Sequence, residues 1–128
     1  MRIMIAGHDV HVRRALRLLF EYEEGIELVE EVSTADKIAE QAESFLPQLV
    51  VLDWELKGLR REEVILQLKN IHSSPFVVAL GSQPKSKNNS LELGVDAFIS
   101  RWQNPQDVLN IIRRVYEEDN NHRQQVTR

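Results

Sequence analysis

The chain contains no cysteine, little proline or glycine, and no long hydrophobic run. The absence of cysteine excludes disulfide frameworks, thiolate metal sites and cysteine nucleophiles, and it fits a reducing compartment. No apolar stretch approaches the roughly 20 residues that a membrane-spanning helix needs. Almost no basic residues precede the first apolar segment, so we expect no signal peptide, no membrane association and a cytoplasmic location.

An excess of positive charge is also lacking, because the 128 residues carry a formal net charge of -4 at pH 7. Such a chain has no overall attraction for nucleic acid or for an anionic membrane. The arginines at positions 13, 14 and 17 are typical of a solvated helix face, so we expect no direct nucleic-acid binding by this domain. A chain of this length is expected to bury its own core as a single domain.

The stretch QLVVLDWELKG, residues 48–58, contains the clearest candidate for a central strand. Residues 49–52 are continuously apolar, which is typical of a parallel strand covered on both faces. Asp53 follows directly, so we expect its carboxylate at the carboxyl end of that strand. Ligand sites of open α/β sheets collect at this edge.

Strands and helices are predicted to alternate along the whole chain. The strands are expected at residues 2–6, 26–32, 49–52, 75–80 and 96–100. A helix follows each strand; Ser33 and Asp36 form a capping-box-like start for the second, and Asn104 and Pro105 open the last.

This alternation with short loops indicates an α/β fold with a single doubly wound, parallel five-stranded sheet. The flavodoxin-like strand order 2-1-3-4-5 is the most economical topology at this size. Residues 119–128 are polar and aperiodic, so we predict a disordered tail or the start of a linker after a domain at residues 1–118.

The predicted strand ends bring small and polar residues to one rim of the sheet. They are Gly7, His8, Asp53, Gly81, Ser82 and Arg101.

With these residues, the segments IMIAGHDVHVRRAL, LVVLDWELKG, FVVALGS and LGVDAFISR resemble the receiver domain of bacterial two-component response regulators. The resemblance extends over residues 2–116 and is closest to the branch that precedes a DNA-binding domain. It implies a phosphorelay signalling module in which Asp53 stands at the phosphoacceptor position. In that family an acidic pair holds Mg²⁺, a hydroxyl contacts the phosphoryl group, and a lysine pairs with it.

The remaining site positions depart from the family pattern. The acidic pair is replaced by Gly7 and His8, the hydroxyl position by Gly81, and the lysine by Arg101. A neutral imidazole is a poor ligand for Mg²⁺. We therefore predict an atypical receiver with a degenerate phosphorylation site and with neither a metal nor another cofactor.

Several rim residues have more than one interpretation. Asp9 could serve as a metal ligand through a one-residue shift, or it could be only the N-cap of the first helix. Ser82 could supply the missing hydroxyl. His8 and Arg101 are predicted to be counter-charges for Asp53, with Arg101 in a short charge-assisted contact. Asp53 could also have a purely structural role.

Three aromatic residues flank the rim. Phe98 matches the aromatic switch position of the family that the chain resembles. Trp54 and Trp102 could be exposed partner anchors, or they could be partly buried against neighbouring loops.

The leading functional prediction is a non-enzymatic interaction module. It would bind a protein partner or a second copy of itself through the last two helices and the fifth strand. The alternative is a conventional Mg²⁺-dependent phosphoacceptor, as the N-terminal part of a DNA-binding transcriptional regulator. A third possibility is a small-molecule binder, because residues 9–11 resemble part of a cobalamin-binding signature, although Arg14 stands at its glycine position. The sequence contains no glycine-rich phosphate loop for nucleotide binding.

Overall fold

A computed structural model describes the backbone of residues 1–126 and the side chains of residues 1–117. The strands are β1 (Arg2–Ala6), β2 (Leu28–Val32), β3 (Leu49–Asp53), β4 (Phe76–Gly81) and β5 (Ala97–Ser100). The helices are α1 (Val10–Glu21), α2 (Ile38–Phe45), α3 (Arg61–Lys69), α4 (Pro84–Glu92) and α5 (Pro105–Val126), with a short 3-10 helix at Ala35–Lys37. The strands form one parallel sheet in the order β2-β1-β3-β4-β5, which confirms the predicted fold and topology.

Strand β3 lies at the centre of the sheet, and every one of its residues is buried. Val50 and Leu52 pack into a core with residues of α2 and α3, whereas Leu49 and Val51 pack on the opposite face with residues of α1 and α5. Both faces of the strand are therefore covered by helices. This explains why its apolar residues are continuous rather than alternating.

Two elements begin more than one residue away from their predicted starts, and the other strand boundaries agree to within one residue. Strand β2 starts at Leu28 rather than at residue 26, because the Ile26 N–H is bound to the Glu23 carbonyl in the preceding turn at 3.3 Å. The predicted capping box at Ser33 is wrong. The 3-10 helix follows Thr34 without a side-chain cap, and α2 itself begins only at Ile38.

The arginine cluster of α1 is not uniformly solvated. Arg13 donates to the Glu31 carboxylate at 3.0 Å and to the Gly7 carbonyl at 2.6 Å, and Arg17 donates to the same carboxylate at 3.0 Å. Arg14 alone of the three is exposed. The prediction of a solvated face is therefore wrong for Arg13, which ties α1 to β2.

Helix α5 continues through residues 119–126, within the stretch predicted to be a disordered tail or the start of a linker. The stretch contains neither proline nor glycine, the two residues that most strongly oppose a helix. Residues 127 and 128 of the tail lie outside the described residues. None of the helices in the part of the chain that the structure describes is long and apolar enough to cross a membrane.

Candidate functional site

Asp53 is the central residue of the candidate site, and it is only 3 % exposed at the end of β3. Its Oδ1 accepts a hydrogen bond from the Glu55 N–H at 3.0 Å. Its Oδ2 lies 3.4 Å from Nη2 of Arg101 and 3.7 Å from Nδ1 of His8. The buried carboxylate is therefore faced by a permanent cation and by an imidazole that adds a second positive charge when protonated.

The sheet topology brings these residues together. Gly7 and His8 follow β1, Arg101 follows β5, and both neighbouring segments are bonded to the sheet. The Gly7 N–H donates to the Val32 carbonyl at 2.9 Å, and the Arg101 N–H donates to the Gly81 carbonyl at 3.0 Å. All of the predicted rim residues therefore lie at one edge of the sheet, as expected for the carboxyl ends of parallel strands.

The predicted contact between Arg101 and Asp53 is present, but at 3.4 Å it is longer than the short charge-assisted bond that we expected. Arg101 also acts electrostatically on the carboxylates of Asp9 and Glu55. Within the described residues, Nε of Arg101 is buried and has no hydrogen-bond partner. The guanidinium thus contacts Asp53 through one nitrogen only, and its charge also acts on Asp9 and Glu55.

Asp9 is the N-cap of α1. Its Oδ1 accepts from the N–H groups of His11 at 2.9 Å and Val12 at 3.3 Å. These two backbone hydrogen bonds hold the pKa of Asp9 below its ordinary value of 3.8, with smaller contributions from the positive charges of His11 and Arg101. The capping interpretation is therefore confirmed, and this carboxylate oxygen is already engaged by the helix.

Glycine at positions 7 and 81 leaves room for neighbouring side chains. A Cβ at residue 7 would lie 3.3 Å from Cβ of Asp53, and a Cβ at residue 81 would lie 3.1 Å from the Phe98 ring. Side chains at these positions would require Asp53 and Phe98 to move. Phe98 itself is half-buried and packs against the core cluster on that face of the sheet.

Glu55 is a rim residue that the sequence did not identify. Its carboxylate accepts from the Ser82 hydroxyl at 2.8 and 3.1 Å, from the Ser82 N–H at 3.2 Å and from the Ser86 hydroxyl at 3.5 Å. Burial raises the pKa of Glu55, but the bonds from Ser82 and the charge of Arg101 outweigh that effect and lower the pKa below its ordinary value of 4.5. Glu55 follows Asp53 by two residues, and no motif marks it.

Ser82 accordingly gives its hydroxyl hydrogen bond to Glu55 and not to Asp53. The two tryptophans also differ from each other. Trp54 is 1 % exposed and its indole N–H donates to Oδ1 of Asn89 at 2.9 Å, whereas Trp102 is 81 % exposed. Only Trp102 has the accessibility of a partner anchor.

Among the described residues, no three histidine, cysteine, aspartate or glutamate side chains are grouped so that they could hold a metal ion.

A doubly wound parallel sheet with an aspartate at the end of its central strand defines a flavodoxin-like α/β protein with its candidate site at the strand ends. Residues 3–113 match the family model described as the response regulator receiver domain. The chain therefore belongs to the receiver-domain family of two-component signalling systems.

Two curated proteins match parts of this chain. The chain is 30 % identical over 115 residues to the transcriptional regulatory protein FlgR of Helicobacter pylori, covering 89 % of this chain and 29 % of that protein. It is 35 % identical over 81 residues to a copper-transporting ATPase of Helicobacter pylori, covering 63 % of this chain and 10 % of that protein. The chain thus spans less than a third of either relative.

The crystal structure of a response regulator receiver domain protein from Methanospirillum hungatei JF-1 has the same fold. It superposes with a TM-score of 0.77 at 24 % identity, covering 94 % of this chain and 97 % of that chain.

Proposed function

We propose that this chain is an atypical receiver domain that acts through protein interaction and not through phosphorylation of Asp53. The observation that carries the proposal is that Oδ2 of Asp53 faces Arg101 at 3.4 Å and His8 at 3.7 Å. Arg101 supplies a permanent counter-charge as part of the protein itself, and His8 adds a second one only when it is protonated. A carboxylate that faces a cation of the protein itself does not depend on a bound metal ion for a counter-charge.

The residues around Asp53 do not fit a magnesium site. Mg²⁺ requires near-octahedral oxygen ligands that include carboxylates. Gly7 has no side chain, His8 offers nitrogen, and Oδ1 of Asp9 is bound to the backbone of α1. The guanidinium of Arg101 beside Asp53 further disfavours a divalent cation at the same position.

The hydroxyl that receivers use after the fourth strand has no equivalent directed at Asp53. Gly81 carries no side chain, and the hydroxyl of Ser82 is bound to Glu55. Phosphoryl transfer depends on positioning and on neutralising the charge that develops on the phosphoryl oxygens. Arg101 alone would supply only part of that stabilisation.

We infer that the interaction surface is formed by α4, β5 and α5, and that it binds a protein partner or a second copy of the chain. Strand β5 is at the edge of the sheet, and edge strands are common sites of association. Leu91 on α4 is 43 % exposed and adds an apolar contact beside that edge. We propose residues 1–118 as the functional unit, acting in the cytoplasm, with residues 119–128 as a polar tail or the start of a linker.

The retained Asp53 favours a second candidate, a conventional phosphoacceptor that uses Mg²⁺. Its carboxylate lies at the end of β3, where receivers have their phosphoacceptor, and it accepts one backbone hydrogen bond, from the Glu55 N–H. Under this candidate the chain would be the N-terminal part of a DNA-binding regulator, as the similarity to a transcriptional regulatory protein suggests.

Beryllofluoride and a small phosphodonor, each with millimolar Mg²⁺, test the two candidates. We expect the amide NMR spectrum of the wild-type domain to be unchanged by beryllofluoride, and its intact mass to be unchanged by the phosphodonor. The matched control is Asp53→Asn, since any change that persists in this variant does not involve the acceptor position. Stoichiometric, Mg²⁺-dependent modification of wild-type Asp53 would replace our proposal with the conventional phosphoacceptor.

A further inference from the structure

The two residues that follow Asp53 both hold helix α4. The indole N–H of Trp54 donates to Asn89 on the second turn of α4 at 2.9 Å. The Glu55 carboxylate accepts from Ser82 just before α4 and from Ser86 in its first turn. The loop after β3 is therefore attached to α4 at both its beginning and its middle.

Helix α4 depends on such contacts because its own sequence is a weak helix former. Its sequence, PKSKNNSLE, is rich in serine and asparagine, which favour caps and turns over helix interiors. Gln83 at the N-cap makes no side-chain capping bond. Ser86 and Ser90 are buried, so the helix also contributes little apolar surface to the core. Hydrogen bonds from other parts of the fold must then supply much of the stability of α4.

Glu55 is suited to this role by its charge and position. Its carboxylate lies beside the N-terminal end of α4, where the helix dipole favours an anion, and it accepts from the Ser82 N–H just before the helix. The charge of Arg101 acts on the same carboxylate. The N–H of Glu55 is bound to Oδ1 of Asp53 at 3.0 Å, so one residue connects the candidate site to α4.

We propose that Trp54 and Glu55 form a clamp that holds α4 in one orientation, with the Glu55 carboxylate acting as a built-in anion for the segment between β4 and α4. This inference rests on the proposed function, since α4 is part of the inferred interaction surface. The clamp keeps that surface in its binding conformation without a phosphoryl group, because the anion that orders the segment belongs to the chain itself.

Amide hydrogen exchange of Glu55→Ala tests the clamp directly. We expect amide exchange of residues 85–89 to become faster by on the order of tenfold, which corresponds to the loss of one charge-assisted hydrogen bond. Val50 and Val51 in β3 report global unfolding, and their exchange should change less. Glu43→Ala, at an exposed position of α2, is the matched control and should leave α4 unaffected. Asn89→Ala tests the Trp54 half of the clamp by the same measurement.

Self-association, measured by sedimentation equilibrium, tests whether the clamp serves the interaction surface. We expect Glu55→Ala to raise the dimer dissociation constant several-fold, Glu55→Gln to give a smaller increase, and Glu43→Ala to have none. Unchanged α4 exchange in both Glu55→Ala and Asn89→Ala would overturn the clamp. Faster α4 exchange with unchanged association would overturn its link to the surface. A wild-type chain that stays monomeric would remove the self-association form of the proposed function, while the exchange result would still decide the clamp.

Discussion

The ring of Phe98 lies 3.1 Å from the position that a Cβ on residue 81 would occupy. Cβ of Ser86 on α4 lies at the same distance from that position. Gly81, at the end of β4, therefore has a packing role besides leaving the rim without a hydroxyl at this position. It allows β5 and α4 to pack closely over the strand end, so Gly81 and Phe98 are coupled through shared space.

This coupling predicts that Gly81→Thr destabilises the fold. Residue 81 does not have a positive φ, so the cost comes from overpacking and not from backbone strain. We expect a loss of about 1–3 kcal/mol in the free energy of unfolding, measured by urea denaturation. Gly81→Ala places only the Cβ against the ring and should cost less.

The same substitution made in a Phe98→Ala variant identifies the source of that cost. In Phe98→Ala the ring is absent, so the added cost of Gly81→Thr should shrink and the two substitutions should be non-additive. An equal cost of Gly81→Thr in both backgrounds would show that the ring is not the obstacle.

The ion pair between Arg101 and Asp53 predicts a stability effect of its own. Arg101→Ala leaves a buried carboxylate with only the Glu55 N–H and His8 beside it. We expect a loss of about 2 kcal/mol in the free energy of unfolding, with a smaller loss for Arg101→Lys. Arg60→Ala is the control, because the side chain of Arg60 is 84 % exposed and its ion pair with Glu63 lies on the surface.

Asp53→Asn removes the charge that Arg101 compensates. The cost of Arg101→Ala should therefore fall in the Asp53→Asn background, and a double-mutant cycle measures this difference. If Arg101→Ala costs the same in the Asp53→Asn background as in the wild type, the guanidinium stabilises the rim through Asp9 or Glu55 instead.

The lowered pKa of Glu55 predicts how its contribution depends on pH. A folded-state pKa below the ordinary value of 4.5 means that the folded chain favours the ionised carboxylate. Stabilisation from this group is therefore fully present above about pH 4.5 and is lost as the pH falls through the folded-state pKa. The half-buried position of Glu55 reduces the effect through solvent screening, so we expect about 1 kcal/mol at neutral pH.

The measurement compares wild type with Glu55→Gln in urea at pH values from neutral to strongly acidic. The difference in unfolding free energy should be largest near neutral pH and should diminish in acid. Every other carboxylate of the chain is present in both variants, so the difference isolates Glu55. A difference that stays constant over the whole range would mean that Ser82 does not depend on the charge of Glu55.

Two exposed leucines allow a matched test of the interaction surface. Leu91 is 43 % exposed on α4, inside the inferred surface, and Leu66 is 63 % exposed on α3, outside it. We expect Leu91→Asp to weaken self-association or partner binding at least tenfold, because it places a charge in an apolar contact. Leu66→Asp should have no effect in the same sedimentation experiment. The reverse result would place the interface on α3.

The sequence alone determined the order of strands and helices, the parallel sheet and the position of Asp53 at a strand end. These features depend on local patterns, since continuous apolar runs such as residues 49–52 can be satisfied only between two layers of helices. The N-cap role of Asp9 was predictable for the same reason, because a cap bonds only to its own first turn.

Only the tertiary structure decided which rim residues contact one another. The sequence left open that Ser82 supplies a substitute hydroxyl for Asp53, but Ser82 is bound to Glu55. Arg13 was predicted in solvent, but it is bound to Glu31. In each case several polar partners of similar chemistry lie within reach at the strand ends. Which partner is bound depends on differences of less than about one ångström in the positions of the loops. These positions are set by packing between residues distant in sequence, such as Gly81 against Phe98.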